Sequence, residues 1–352
     1  MNLEQALNSI GSLNMNLVER AQARLDSLTK PLGSLGRLED IVKQLVGITG
    51  DLFPKVDKKT VVIMCADNGV VEEGVSSCPK SVTATVTKNF TRGFTGINVL
   101  SRHAGADILV VDIGIDQDIL VKGVLNRKIR KGTSNMAKGP AMSRAEAVRA
   151  IETGIGIVAD LKARGVNLLG TGEMGIGNTT SSSAVASILI GADIDSMVGK
   201  GSGLDKNGLE NKKMVIKKAI ELNKPDSKDA MDVLAKVGGF DIAGLAGCFI
   251  GAAASRLPIV IDGFISAAAA LVAVRMNPLV RKYLFPSHGS AEPGHKIIME
   301  ALGMEPMLNL GMRLGEGTGA ALAFHIIDAA VSAYIGMGTF DDANIKQYEP
   351  LE

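Results

Sequence analysis

Two glutamates set among glycines are the first candidates for chemistry. Residues 170–180 read GTGEMGIGNTT, with Glu173 the one ionisable side chain among four glycines, and residues 313–319 read RLGEGTG, with Glu316 between Gly315 and Gly317. Glycine leaves bare backbone that a ligand can approach closely. A glycine turn passing into a helix also presents N–H groups together with the positive end of the helix dipole, which suits a monophosphate. The pattern places the start of a helix, TTSSSAVASILIG, at Asn178 or Thr179. The backbone of Gly175, Ile176 and Gly177 and the side chains of Asn178, Thr179 and Thr180 are then the expected donors. A capped helix after a turn is the plainer reading, but so many glycines exceed what a turn requires.

A second glycine cluster, VGKGSGLD at 198–205, precedes LENKKMVIKKAIEL and puts Lys212 in the first turn or two of a helix. A cation there opposes the helix dipole, and an anion beside it would resolve the conflict. Considered alone, Lys212 is as well read as a surface lysine. For Glu316 the plain account is a favourable acid near a helix start, worth a few tenths to about 1 kcal/mol. Held near Glu173, it can instead take a proton from a nucleophile, and a positioned base contributes about 10²- to 10⁴-fold.

Gly170, Gly172 and Gly175 also match G-x-G-x-x-G, with Asp193 or Asp195 about 20 residues on, so a nicotinamide-dependent oxidoreductase is the rival reading. That fingerprint opens a helix at once, whereas here GIGN intervenes. His103, His288, His295 and His325 show no metal-ligand spacing, and neither a G-x-S-x-G elbow nor a phosphate-binding G-x-x-x-x-G-K-[ST] loop occurs.

The elements that must hold these residues are short apolar runs, each followed by a helical pattern. They lie at 61–69, 108–114, 166–173 and 259–264, with weaker candidates at 283–290 and 307–317. Such alternation predicts a parallel, Rossmann-like α/β sheet covered on both faces, with its ligand beyond the carboxyl ends of the strands. Asp67, Asp112, Glu173, Asp262, Ser287 and Glu316 would gather at that edge, although any one of them is more simply a turn acid or helix cap. Residues 1–50 and 318–352 are expected to form a small helical domain beside a large α/β domain at 51–317, with 341–352 a frayed tail.

Composition narrows the partners. Lys plus Arg (38) nearly balances Asp plus Glu (37), aromatic residues are 3% and Trp is absent, which disfavours nucleic acid. The apolar stretch 241–276 is interrupted by Arg256, Pro258 and Asp262, so it is read as core and not as a membrane span. Three cysteines without C-x-x-C spacing, and an N-terminal segment without the n- and h-regions of a signal peptide, point to the cytoplasm.

Several stretches taken in order, LTKPLGSLGRLE, CADNGVVEEGVS, VDIGID, GTGEMGIGNTT, DVLAKVGGFDIAGLAG, LPIVIDGF, PSHGSAEPG and MRLGEGTGAAL, resemble the nicotinate-nucleotide:dimethylbenzimidazole phosphoribosyltransferase family. The resemblance runs from about residue 25 to 345. It implies transfer of phosphoribosyl from β-nicotinate mononucleotide to an aromatic base, with inversion to the α configuration, in assembly of the cobamide lower ligand. It implies no metal or organic cofactor, and a homodimer or a heterodimer with a paralogue, of which this chain could be a non-catalytic member. By the same resemblance Glu316 is the general base and Glu173 assists it, while the amides of 174–180, Lys212, Ser290 and Gly315 hold phosphate and ribose. The acceptor pocket departs from the family's pattern: where better-known members carry a Ser and a Gln, this chain has Cys78 and Val86. A phenol or other base joins dimethylbenzimidazole as an expected acceptor.

Overall fold

Strands buried on both faces read as continuous apolar runs, and the centre of this molecule is built from such runs. A computed structural model describes residues 1–347. Three helices come first: α1 (Leu3–Ser9), α2 (Met15–Ser27) and α3 (Arg37–Thr49). The rest alternates: β1 (Lys59–Ala66), α4 (Val82–Phe90), α5 (Gly96–His103), β2 (Ala106–Gly114), β3 (Val124–Asn126), α6 (Arg144–Ala163), β4 (Leu168–Met174), α7 (Asn178–Ile190), α8 (Ile194–Met197), α9 (Lys206–Asn223), α10 (Ala230–Val237), α11 (Phe240–Ala254), β5 (Ile259–Ile261), α12 (Phe264–Met276), β6 (Leu284–Pro286), α13 (Pro293–Leu302), α14 (Thr318–Gly336) and α15 (Phe340–Ala343).

The sheet order is β3-β2-β1-β4-β5-β6, and every pairing is parallel. The chain runs outward from β1 to β2 and β3, then returns to the other side of β1 with β4. The order therefore reverses between β1 and β4, and a crevice opens beyond their carboxyl ends, where ligands of such sheets sit.

Five of the expected strands form, with shifted ends, and one does not. The stretch 307–317 stays irregular apart from one bridge between Leu308 and His288. Gly311, Gly315, Glu316 and Gly317 all have positive φ, which a strand cannot accommodate. The unexpected strand is β3, only three residues long and partly exposed at the sheet edge.

Small residues let helices approach closely. On α11, a Cβ at Gly247 would lie 2.0 Å from the Ile151 carbonyl oxygen of α6, and one at Gly154 of α6 would lie 2.1 Å from the Gly244 oxygen. On the opposite face, α14 lies against β4 because Gly170 leaves room for Phe324 and Ala320. By length and hydropathy α14 could cross a bilayer. Here Phe324, Ile327, Ala330 and Tyr334 are buried, the helix packs on α3 and α5 as well as the sheet, and it belongs to the core. The two chain ends also touch, Arg24 Nε donating to the Tyr334 carbonyl (3.2 Å), and Lys59 at the start of β1 pairs with Asp328 of α14 at 2.7 Å. Of the expected frayed tail, 341–343 belong to α15 and 348–352 lie outside the described residues.

Candidate active site

The glycine-rich turn expected to bind an anion lies at the switch point. β4 ends in Glu173 and Met174, the chain turns through Gly175, Ile176 and Gly177, and α7 begins at Asn178. Gly177 is the N-cap with φ +88° and no side chain caps the helix. Gly175 is required sterically, since a Cβ there would lie 2.6 Å from the Ala66 oxygen and 2.8 Å from Asp241 Oδ2. The positive end of the α7 dipole thus faces the crevice without a side-chain cap, but three of the expected donors are already used: Asn178 N and Thr180 N donate to the Gly175 and Gly177 carbonyls (3.1 and 2.9 Å), and Ile176 N donates to Thr83 Oγ1 (3.1 Å).

Lys212 reaches the start of α7. α9 starts three residues earlier than its LENKK pattern suggests, because Asp205 caps it by accepting from Gly208 N (2.7 Å), and Lys212 falls in the second turn. Its side chain is fully buried. Nζ donates to Thr179 Oγ1 (2.8 Å) and to the Gly199 carbonyl (3.1 Å), joining the 198–203 loop to the start of α7. Burial lowers its pKa from 10.5 to about 8, with Glu292 acting in the opposite direction.

The second glutamate is held by unusual backbone. Gly315, Glu316 and Gly317 have φ of +80°, +65° and +98° in succession. A left-handed glutamate costs roughly 1–2 kcal/mol. Asp262, just beyond β5, offsets it by accepting from Gly317 N (3.1 Å), Gly319 N (2.7 Å) and Ala320 N (3.2 Å), which also satisfies the start of α14. Gly172 is the other support, for a Cβ there would lie 2.3 Å from the Glu316 carbonyl oxygen. The Glu316 carboxylate accepts from Ile97 N (3.1 Å) in the first turn of α5. Burial raises its pKa, and that hydrogen bond opposes the rise.

Glu173 lies against the same loop. A Cβ on Gly315 would come within 2.5 Å of Glu173 Oε1, so glycine at 315 is what lets the Glu316 loop close over Glu173. Burial, and then the neighbouring Asp241, push the Glu173 pKa up to about 8. Burial raises both carboxyls, Glu173 to about 8, while Glu316 has a backbone donor that opposes the rise.

A cavity of about 350 Å³ joins these parts. Its wall includes Glu173, Gly175, Ile176, Gly177, Asn178, Thr179, Ser290, Gly315, Glu316 and Val86. Four expected site residues are placed differently, the first being Lys212, which is fully buried off the wall and reaches it only through its bond to Thr179 Oγ1. Thr180 is fully buried and off the wall, because one step along α7 rotates the side chain by about 100° into the core. Cys78 is also off the wall, in a turn whose N–H bonds to Ser76 Oγ (3.2 Å), and Ser76 and Val75 line the cavity in its place. The Asn178 side chain is not free to bind phosphate: its Nδ2 donates to Glu173 Oε2 and to Asp241 Oδ2 (3.0 Å).

Of the six residues expected at the sheet edge, Glu173, Asp262 and Glu316 face the cavity. Asp67, Asp112 and Ser287 close loops, accepting from Asp116 N, accepting from Ile115 N and donating to the Asp262 carbonyl. Sequence reasoning missed Arg313, Glu292 and Phe264 on the wall. Only Arg313, two residues before Gly315, had a local signal. The dinucleotide fingerprint is not realised: Gly170 and Gly172 lie inside β4 against α14, and Asp195 forms surface ion pairs with Lys213 and Lys217.

A glycine turn at a helix N-terminus and two glutamates opening on one cavity at the switch point of a parallel sheet form an arrangement suited to group transfer from a phosphorylated substrate. A family model described as phosphoribosyltransferase matches residues 10–345. Nicotinate-nucleotide–dimethylbenzimidazole phosphoribosyltransferases from Ruminiclostridium cellulolyticum and Clostridium acetobutylicum are 71% and 65% identical, each over the whole of both chains. The crystal structure of CobT from Thermus thermophilus superposes with a TM-score of 0.90 at 38% identity, covering 95% of this chain and 100% of that one. The chain belongs to the nicotinate-nucleotide–dimethylbenzimidazole phosphoribosyltransferase family.

Proposed function

We propose that this enzyme moves the 5-phosphoribosyl group of β-nicotinate mononucleotide onto an aromatic acceptor of the cobamide lower-ligand class and releases nicotinate. The observation that carries the reading is the joint opening of the Gly175–Gly177 cradle and the Glu316 carboxylate on one cavity. Nicotinate leaves readily, because its ring nitrogen is cationic while bound to ribose and departs neutral. The protein therefore has to supply alignment and a stronger nucleophile. Phosphate on the α7 amides, beside Lys212 and Ser290, fixes the ribose. Glu316 takes the acceptor's proton as its heteroatom meets C1′ from the face opposite the leaving group. Glu173, proton-bearing beside it, adds no second negative charge to repel that base.

The acceptor rests on an apolar wall of Val75, Val86, Ile176 and Leu314. Val86 offers no hydrogen bond to a second ring nitrogen, so the pocket loses part of its reason to prefer a benzimidazole over a phenol such as p-cresol. We place the helices of 1–50 and 318–347 in a small domain against the α/β body, with two copies, or one copy and a paralogue, forming the working particle.

The test is incubation of the purified chain with β-nicotinate mononucleotide and a pool of dimethylbenzimidazole, adenine and p-cresol, with products identified by mass. Nicotinate and an α-ribosyl phosphate of at least one acceptor are expected. Nicotinate mononucleotide recovered intact from the chain alone would overturn the reading of this chain as the catalytic one.

A further inference from the structure

Asn178 spends both N–H groups of its amide on two buried acids. Glu173 comes from the end of β4, and Asp241 from the first turn of α11, 63 positions after Asn178. An amide oxygen turned toward two acid oxygens would be repelled, so the nitrogen faces them. Asp241 is fully buried, and among the described residues no lysine or arginine forms an ion pair with it. Backbone N–H groups of its own helical turn favour its anion, whose pKa burial pushes up to about 6. Glu173 stands higher, at about 8. Because Oε2 of Glu173 is occupied as the acceptor from Asn178, a proton on this carboxyl belongs on Oε1, the oxygen lying against Gly315 at the cavity.

We infer that Asp241 is a positioning residue: through Asn178 it fixes the orientation of Glu173, and its own charge, opposing the anion-favouring hydrogen bond from Asn178, favours a proton on the Glu173 oxygen turned to the reaction cavity. This rests on the transfer reaction proposed above and adds a residue to it. The chain Asp241–Asn178–Glu173 links the amino end of α11 to the cavity wall, and Asp241 itself lies off that wall. The other titratable groups that face Glu173 are Cys65 on β1, Asp262 after β5 and Glu316 before α14, and Asp67 faces Asp241 from the end of β1. All are acids, so removing any one charge eases ionisation of Glu173. Asp241 is the one tied to it through a shared donor.

The experiment compares the pH dependence of kcat/KM for wild type, Asp241→Asn, Glu173→Gln and the double variant, with β-nicotinate mononucleotide and whichever acceptor wild type uses. Wild-type turnover establishes the reaction, so its absence would strike the transfer reading and not the relay. In wild type the rate falls as pH rises past about 8. In Asp241→Asn, an isosteric change, that fall moves to lower pH by roughly half a unit or more, because a neighbouring negative charge is gone. KM for the mononucleotide changes less than about threefold, since Asp241 does not contact it. Glu173→Gln places a permanent N–H where the acidic hydroxyl stood, so the alkaline fall disappears and adding Asp241→Asn changes little more. An unshifted alkaline fall in Asp241→Asn, with activity reduced equally at every pH, would overturn the inference. So would full additivity of the two losses. If Asp241→Asn does not fold, Glu173→Gln decides alone: persistence of the alkaline fall refutes a proton-bearing Glu173.

Discussion

Replacing Lys212 by Met separates the lysine's structural cost from its use. The ammonium is fully buried, and its pKa falls from 10.5 to about 8 because burial disfavours the charge. At about 1.4 kcal/mol per pH unit, that fall corresponds to roughly 3 kcal/mol of native-state destabilisation at neutral pH. The sign follows from proton counts. Between pH 8 and 10.5 the unfolded lysine is protonated and the folded one is not, so the unfolded chain binds more protons and stability rises with pH. Below pH 8 the whole penalty stands. The hydrogen bonds to Thr179 and Gly199 return about 1 kcal/mol each. Lys212→Met, which keeps the volume and removes the charge, should therefore stabilise the unliganded protein by on the order of 1 kcal/mol at pH 7, about 2 °C in Tm. The advantage shrinks as pH approaches 10. Substrate reverses the ranking: a mononucleotide at 100 times its Kd stabilises wild type by about 2.7 kcal/mol, and the variant gains little because its phosphate has lost the cation. Thermal melts at pH 7 to 10 with and without β-nicotinate mononucleotide measure all of this. A Lys212→Met protein that melts several degrees below wild type and still gains the full ligand shift would refute the reasoning.

Other outcomes follow from single contacts. Gly172→Ala drives a methyl to 2.3 Å from the Glu316 carbonyl oxygen, so it should lower stability by about 1–3 kcal/mol and reduce kcat more than it raises KM, read from melts and steady-state rates together. Val86→Gln should move acceptor preference from phenols toward dimethylbenzimidazole by several-fold in direct competition, since one hydrogen bond is worth about 1 kcal/mol. Cys65 and Cys248 are buried, and burial pushes Cys248 up to about 12 and Cys65 higher still. Native protein treated with iodoacetamide at pH 8 should therefore show by mass a single adduct, on Cys78.

The parts of the site built from contiguous sequence were legible. The start of α7 at Asn178 and of α14 at Thr318 follow from glycine turns opening apolar helices, and Glu316 stands out because glycines flank it. What stays hidden depends on contacts distant in sequence. Asn178 reads as a phosphate donor until Asp241, from α11, claims half of its amide. Asp262 reads as one more edge acid, yet it holds the start of α14 by three hydrogen bonds. Cys78 and Val86 sit eight residues apart, and nearness in sequence suggests one wall. The Pro79 turn before α4 directs only Val86 to the cavity. The run 307–317 passes for a strand because its apolar residues alternate, while the positive φ of its glycines and of Glu316 is a property of tertiary packing. β3 carries too few residues for any pattern.

The central claim is that Glu316 removes the acceptor's proton while the α7 cradle and Lys212 hold the donor. Glu316→Gln, which keeps shape and the contact with Ile97 but cannot accept a proton, tests it most directly, with single-turnover rates and mononucleotide binding measured on the same preparation. Binding within about twofold of wild type, with transfer slowed by at least about 10²-fold, is the expected result. Transfer at a near wild-type rate would contradict it.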